Sequence, residues 1–214
     1  MRKISLIIYD FDGTLVDTLF DIADSVNLTL VDLGLPGLTR EKIRQYVGKG
    51  VEHLMVQTLE GSSFTDIPKA VDLFKKHYSE NLVKHTDFYP YGREILEHFR
   101  NKKQAICSNK PEDFVRRILE SLNGLKYFQA IIGGDSVKTK KPHPEGLEFI
   151  LKKSKVSPDE AVLIGDSPVD IETGKRAGVY TCVVNYGLGL PEEIAAAGPD
   201  CSVDCLSKLK GMFS

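Results

Sequence analysis

At 214 residues the chain exceeds the commonest domain size and admits one large domain or a domain carrying an insertion. Hydrophobic residues at 42% and charged residues at 27% are an ordinary globular composition, and a net charge of −2 shows none of the basic excess that makes nucleic acid a main partner. No apolar run approaches the roughly 20 residues of a membrane span.

The N-terminal "MRKISLIIYDFDG" has a charged start, but its short apolar run meets acids instead of a small-residue cleavage site. It reads as a buried strand, Lys3 to Tyr9, of a cytoplasmic protein. The strand leads directly into Asp10 and Asp12, and two negative charges at one strand tip cost energy unless a cation lies between them. From Asp17 to Leu33 the apolar residues Ile22, Val26, Leu30 and Leu33 recur at helical spacing, and Gly34 ends the helix. Thr39 caps a second helical run, "REKIRQYV"; the loop Gly48-Lys49-Gly50 interrupts, and "VEHLMVQTL" resumes. A further helix runs from Asp66 to Lys84. Without a strand, this stretch reads as a small helical bundle.

After Pro90 the rhythm changes. The apolar runs "QAICSN", "AIIGGD", "AVLIGDS" and "YTCVVNYG" alternate with the helical "EDFVRRILESL", "PEGLEFILKKS" and "DIETGKRAG". The pattern predicts an α/β fold, a Rossmann-like parallel sheet with helices on both faces that includes the first strand. The helical stretch is then an insertion after strand one. Cys107, Cys182, Cys201 and Cys205 lack a nearby His that would complete a zinc pattern, so they read as reduced, packed thiols.

In such a sheet the crevice lies at the carboxyl ends of the strands. Those ends carry Asp10 and Asp12, then Ser108 and Asn109, then Lys141 before Pro142, then Asp166 with Asp170 one helical turn on. Crowded carboxylates of this kind suit Mg²⁺, with Asp10 keeping one oxygen free as a nucleophile. Lys141 supplies positive charge and Ser108 a hydroxyl, which is what phosphoryl transfer requires around its metal. Each motif alone has a plainer reading. "GDSPVD" is a good helix start, Lys141 lies in a run with Lys138 and Lys140, and Ser108-Asn109 makes an ordinary turn. A calcium loop beginning at Asp10 is excluded because Leu15 occupies the position that needs Gly.

Taken together, "DFDGTLVD", "CSN", "KKP" and "GDSPVD" resemble the four motifs of the haloacid dehalogenase-like hydrolases, in order. The segments "NKP" and "VGKGVEHLM" resemble the phosphoglycolate phosphatase branch of that family. The second motif has Ser where Thr is commoner, and the hydroxyl is kept. The resemblance implies a catalytic core over 1–15 and 88–214 and a helical cap over 16–87. It implies that Asp10 becomes the aspartyl-phosphate and that Asp12 protonates the leaving group, then activates water. Ser108 and Asn109 would bind the phosphoryl group, with Gly13 and Thr14 in the substrate-binding loop and Lys141 steadying nucleophile and phosphate. Mg²⁺ would be held by Asp10, Asp12 through its backbone carbonyl, and Asp166, with Asp170 in support. Lys49 would meet a substrate carboxylate. The implied activity is hydrolysis of a small phosphorylated metabolite, phosphoglycolate first, by a monomer or homodimer. A β-phosphoglucomutase-like mutase and a pyrophosphatase are alternatives on the same fold. A phosphate-binding regulatory protein without turnover is the alternative outside enzymes. Dehalogenase chemistry is disfavoured because that branch lacks the second acid, here Asp12.

Overall fold

Strand β1 (Leu6–Tyr9) alternates between two apolar layers: Leu6 and Ile8 pack into one, Ile7 and Tyr9 into the other. A strand buried on both faces can carry no polar side, which is why its sequence is a continuous apolar run. The computed structural model describes residues 2–213. Beyond β1 come β2 (Val16–Asp17) and the helices α1 (Leu19–Asp32), α2 (Arg40–Arg44), α3 (Val51–Thr58) and α4 (Ile67–Asn81), before β3 (Asp87–Phe88). Thereafter α5 (Gly92–His98), β4 (Lys103–Cys107), α6 (Glu112–Ser121), β5 (Ala130–Ile132) and α7 (Glu145–Ser154) follow in order. They lead to β6 (Ala161–Gly165), α8 (Pro168–Ala177), β7 (Tyr180–Val184), α9 (Pro191–Ala197) and β8 (Cys201–Val203).

Six of these strands form one parallel sheet in the order β5-β4-β1-β6-β7-β8, with Leu6 opposite Lys103 on one side and Ala161 on the other. Leu147, Ile150 and Leu151 of α7 cover one face. Helices α5 and α6 cover the other through Ile95, Leu96, Val115, Ile118 and Leu119. Each such side chain contributes about 1.5–3 kcal/mol by leaving water. The chain winds outward from β1 in one direction through β4 and β5, then returns to start the other half at β6. The carboxyl ends of β1 and β6 therefore flank the switch point, where an α/β sheet opens a crevice. No helix among the described residues is long and apolar enough to cross a membrane.

The excursion between β2 and β3 is helical, and the two short strands pair antiparallel, Val16 with Phe88 and Asp17 with Asp87. The Asp21 carboxylate in the first turn of α1 is buried, yet fully engaged. It accepts from the backbone N–H groups of His85 at 3.0 Å and Thr86 at 3.0 Å, and from the Thr86 hydroxyl at 2.7 Å. That contact joins the start of the excursion to its return. The helices match the periodic stretches of the sequence with trimmed ends: Thr39 caps α2 by accepting from the Lys42 N–H, and Asp66 caps α4 by accepting from the Lys69 N–H. Unforeseen in the sequence are β2, β3, α5, α9 and β8, all short.

Candidate active site

Asp10 follows the last residue of β1, and its N–H donates to the Ile164 carbonyl of β6 at 2.8 Å. Asp166 follows the end of β6, and Asp170 lies in the first turn of α8. Carboxylate oxygens of Asp10, Asp166 and Asp170 all lie within 4.8 Å of one another, and all three residues are buried. Lys141 reaches between two of them, with Nζ at 2.9 Å from Asp10 Oδ1 and 2.5 Å from Asp170 Oδ1. The contact to Asp10 is an ion pair without hydrogen-bond alignment, so Asp10 Oδ1 is buried with no hydrogen-bond donor.

Three buried acids thus face one lysine, and the charge does not balance. Burial pushes the Asp10 carboxyl up to about 6; Lys141 lowers it and Asp170 raises it further. Burial, then Asp170 and Asp10, push Asp166 up to about 8. For Lys141 burial favours the neutral form, but the adjoining carboxylates of Asp10 and Asp170 outweigh it and hold the ammonium above the usual lysine range. A divalent cation among these hard oxygens would restore neutrality, so the donor set fits one.

Asp166 is held from both sides. The Thr14 hydroxyl donates to Oδ1 at 2.8 Å and the Leu188 N–H to Oδ2 at 2.6 Å. Gly13 has φ +80°, and a Cβ there would stand 2.5 Å from Asp166 Oδ2, so only glycine fits. Thr14 therefore holds the Asp166 carboxylate, and Gly13 packs directly against it. Asp170 has little left for a metal: Oδ1 accepts from Lys141, while Oδ2 accepts from the Asp166 N–H, the Ser167 N–H and the Ser167 hydroxyl. It caps α8 and aims Lys141.

Asp12 is set differently. Its Oδ1 accepts from the Thr18 hydroxyl at 2.6 Å and from Lys110 Nζ at 2.9 Å. Lys110, from the turn between β4 and α6, is buried, and its ammonium lies 4.4 Å over the Tyr78 ring of α4. Burial pushes it below the usual lysine range, and Asp12 counters this only in part. Sequence reasoning passed over Lys110 even though it lies inside the quoted "NKP". Ser108 presents its hydroxyl to the crevice, where the Lys110 N–H also approaches it at 3.3 Å.

Asn109 lines the crevice, but its side-chain amide is turned inward: it donates to the Gly48 carbonyl at 3.1 Å and to the Lys141 carbonyl at 3.0 Å, so both side-chain hydrogens are engaged within the protein. It ties the α2–α3 loop to the core. Lys49 departs from expectation: it is exposed beside His53, and only its neighbours Gly48 and Gly50 line the crevice. The crevice joins Asp10, Asp12, Ser108 and Lys110 to an apolar wall of Ile22, Val47, Val51, Leu54 and Phe74. Further ties close the helices over it: Arg44 Nη2 donates to the Gly187 carbonyl at 2.6 Å, and Arg117 donates to the Ser79 hydroxyl at 2.7 Å.

Comparison with known proteins agrees with this geometry. Residues 7–184 match the family model described as haloacid dehalogenase-like hydrolase. A phosphoglycolate phosphatase of Vibrio parahaemolyticus is 35% identical over 217 residues, covering 97% of this chain and 95% of that protein. A phosphoglycolate phosphatase of Aquifex aeolicus is 39% identical over 184 residues and 85% of each chain. The crystal structure of a predicted phosphoglycolate phosphatase from Haemophilus somnus superposes with a TM-score of 0.94 at 28% identity, over 99% of both chains. The chain belongs to the haloacid dehalogenase-like hydrolases.

Proposed function

We propose that this haloacid dehalogenase-like hydrolase is a Mg²⁺-dependent phosphomonoesterase whose substrate is phosphoglycolate. The observation that carries the reading is the meeting of Asp10, Asp166 and Asp170 within 4.8 Å, bridged by Lys141, at the switch point of the sheet. Relatives named phosphoglycolate phosphatase at 35% and 39% identity support the substrate. Asp10 and Asp166, with the backbone carbonyl of Asp12, would hold Mg²⁺; bound there, it would neutralise phosphate oxygens and leave one Asp10 oxygen to attack.

In the mechanism we infer, Asp10 attacks phosphorus in line and becomes an aspartyl-phosphate. Lys141, pinned by Asp170, fixes the orientation of Asp10 and offers positive charge to the phosphoryl group. The Ser108 hydroxyl donates to a phosphoryl oxygen. Asp12 gives a proton to the leaving oxygen, then takes one from the water that releases phosphate. The core spans 1–15 and 88–214, and the helices of 16–87 form a cap over the crevice. The test is phosphate release from phosphoglycolate, pyrophosphate and β-glucose 1-phosphate with Mg²⁺ and with chelator. Release from phosphoglycolate alone, abolished by chelator, supports the reading; release from none of the three, or only from another, overturns it.

A further inference from the structure

Lys110 has no part in the mechanism above, yet it is an ammonium with only 6% of its surface exposed in the crevice beside the proton-transferring Asp12. Of its three donors, one is engaged by Asp12 Oδ1 at 2.9 Å, and the Tyr78 ring at 4.4 Å faces the ammonium from the other side. Of the residues that line the crevice it alone carries a positive charge; Lys141 stands behind Asp10, held by Asp10 and Asp170, and Lys140 Nζ lies at the rim beside Gly50. The surrounding wall is apolar, so an anionic group placed elsewhere along it would lose its hydration without a partner. Beside Lys110 the same low-dielectric surroundings strengthen the pairing.

Distance limits what can reach it. Oδ1 of Asp12 already accepts from Thr18 and Lys110, so a leaving oxygen bonded to Oδ2 lies within about 8 Å of Lys110 Nζ, two such contacts plus the width of the carboxylate. A carboxylate carried on the carbon next to the ester oxygen reaches within that distance. Lys49, which stands exposed outside the lining, has no comparable position.

We propose that Lys110 is the specificity-determining cation of the crevice, binding a carboxylate on the leaving group while Tyr78 of the inserted helices holds its ammonium in place. The inference deepens the phosphoglycolate reading and rests on it. It predicts selection of short phosphate esters ending in an acid, with the apolar wall in contact with the methylene.

The experiment compares phosphoglycolate with 2-hydroxyethyl phosphate, which has the same length and a neutral end, in wild type, Lys110→Met and Lys110→Arg. Wild type should prefer phosphoglycolate in kcat/KM. Lys110→Met should lower that preference about ten- to hundredfold, the size of a charge-assisted contact, and Lys110→Arg should restore much of it. Because Lys110 also touches Asp12, the ratio between substrates is the readout. Binding is read separately through inhibition: the Ki of 3-phosphonopropionate should rise by a similar factor relative to that of propylphosphonate. If Lys110→Met slows both substrates alike and leaves the inhibitor ratio intact, Lys110 only positions Asp12 and the proposal is overturned. A wild-type enzyme without the preference overturns the phosphoglycolate reading itself, and the proposal with it.

Discussion

The side-chain amide of Asn109 donates to the Gly48 carbonyl, 3.1 Å away across the crevice, and so fastens the loop between α2 and α3 to the strand end that carries Ser108. The same amide donates to the Lys141 carbonyl at 3.0 Å, which makes Asn109 a clamp between three segments. Asn109→Ala removes both bonds. With each contributing about 0.5–1.5 kcal/mol, the variant should lose roughly 1–3 kcal/mol of stability. Hydrogen exchange at residues 48–50 should quicken, with KM rising more than kcat falls. Unaltered exchange there would show that the loop is held by other contacts.

The acid cluster makes a prediction for the metal-free protein. Asp10 and Asp166 have carboxyl pKa values raised in the fold, to about 6 and about 8, by burial first. The folded state therefore binds more protons than the unfolded state between the ordinary carboxylate range and about 8. Stability should be greatest on the acid side of that window and fall as pH rises through it. Mg²⁺ should raise the melting temperature most at the alkaline end, where both groups are ionised. Asp166→Asn should lose most of that Mg²⁺ effect. A melting temperature indifferent to Mg²⁺ across the window would contradict the assignment of these acids as ligands.

Asp12 should show itself through the leaving group. In kcat/KM, which reports formation of the phosphoenzyme, Asp12→Ala should slow reaction of alkyl phosphates, whose leaving oxygen needs a proton, far more than that of an activated aryl phosphate, which needs none. Equal losses on both would argue that Asp12 does not act as the acid.

These sites were legible in the sequence to different depths. Strands buried on both faces must be apolar throughout, so "LIIY", "QAIC" and "AVLIG" declared themselves, and the crevice follows from where they end. The strands β2 and β3, two residues each, leave no period to read, and α5 is preceded by Tyr91, whose φ of 67° and lack of a side-chain cap disguise the start. Strand ends also say which residues share a crevice, but not which way each side chain turns. Asn109 and Lys110 are neighbours in "NKP", yet one faces the Gly48 loop and the other Asp12. Likewise Gly13 and Thr14 follow the acids in sequence, but their partner is Asp166, far along the chain, which only the pairing of β1 with β6 brings near.

The most direct test of covalent catalysis by Asp10 is the stereochemical course at phosphorus. A thiophosphate analogue of the substrate, made chiral with heavy oxygen, would be hydrolysed in water of a third oxygen isotope. Attack by Asp10 followed by attack of water is two in-line displacements, so the account predicts net retention of configuration. Net inversion, the mark of a single displacement by water, would contradict it.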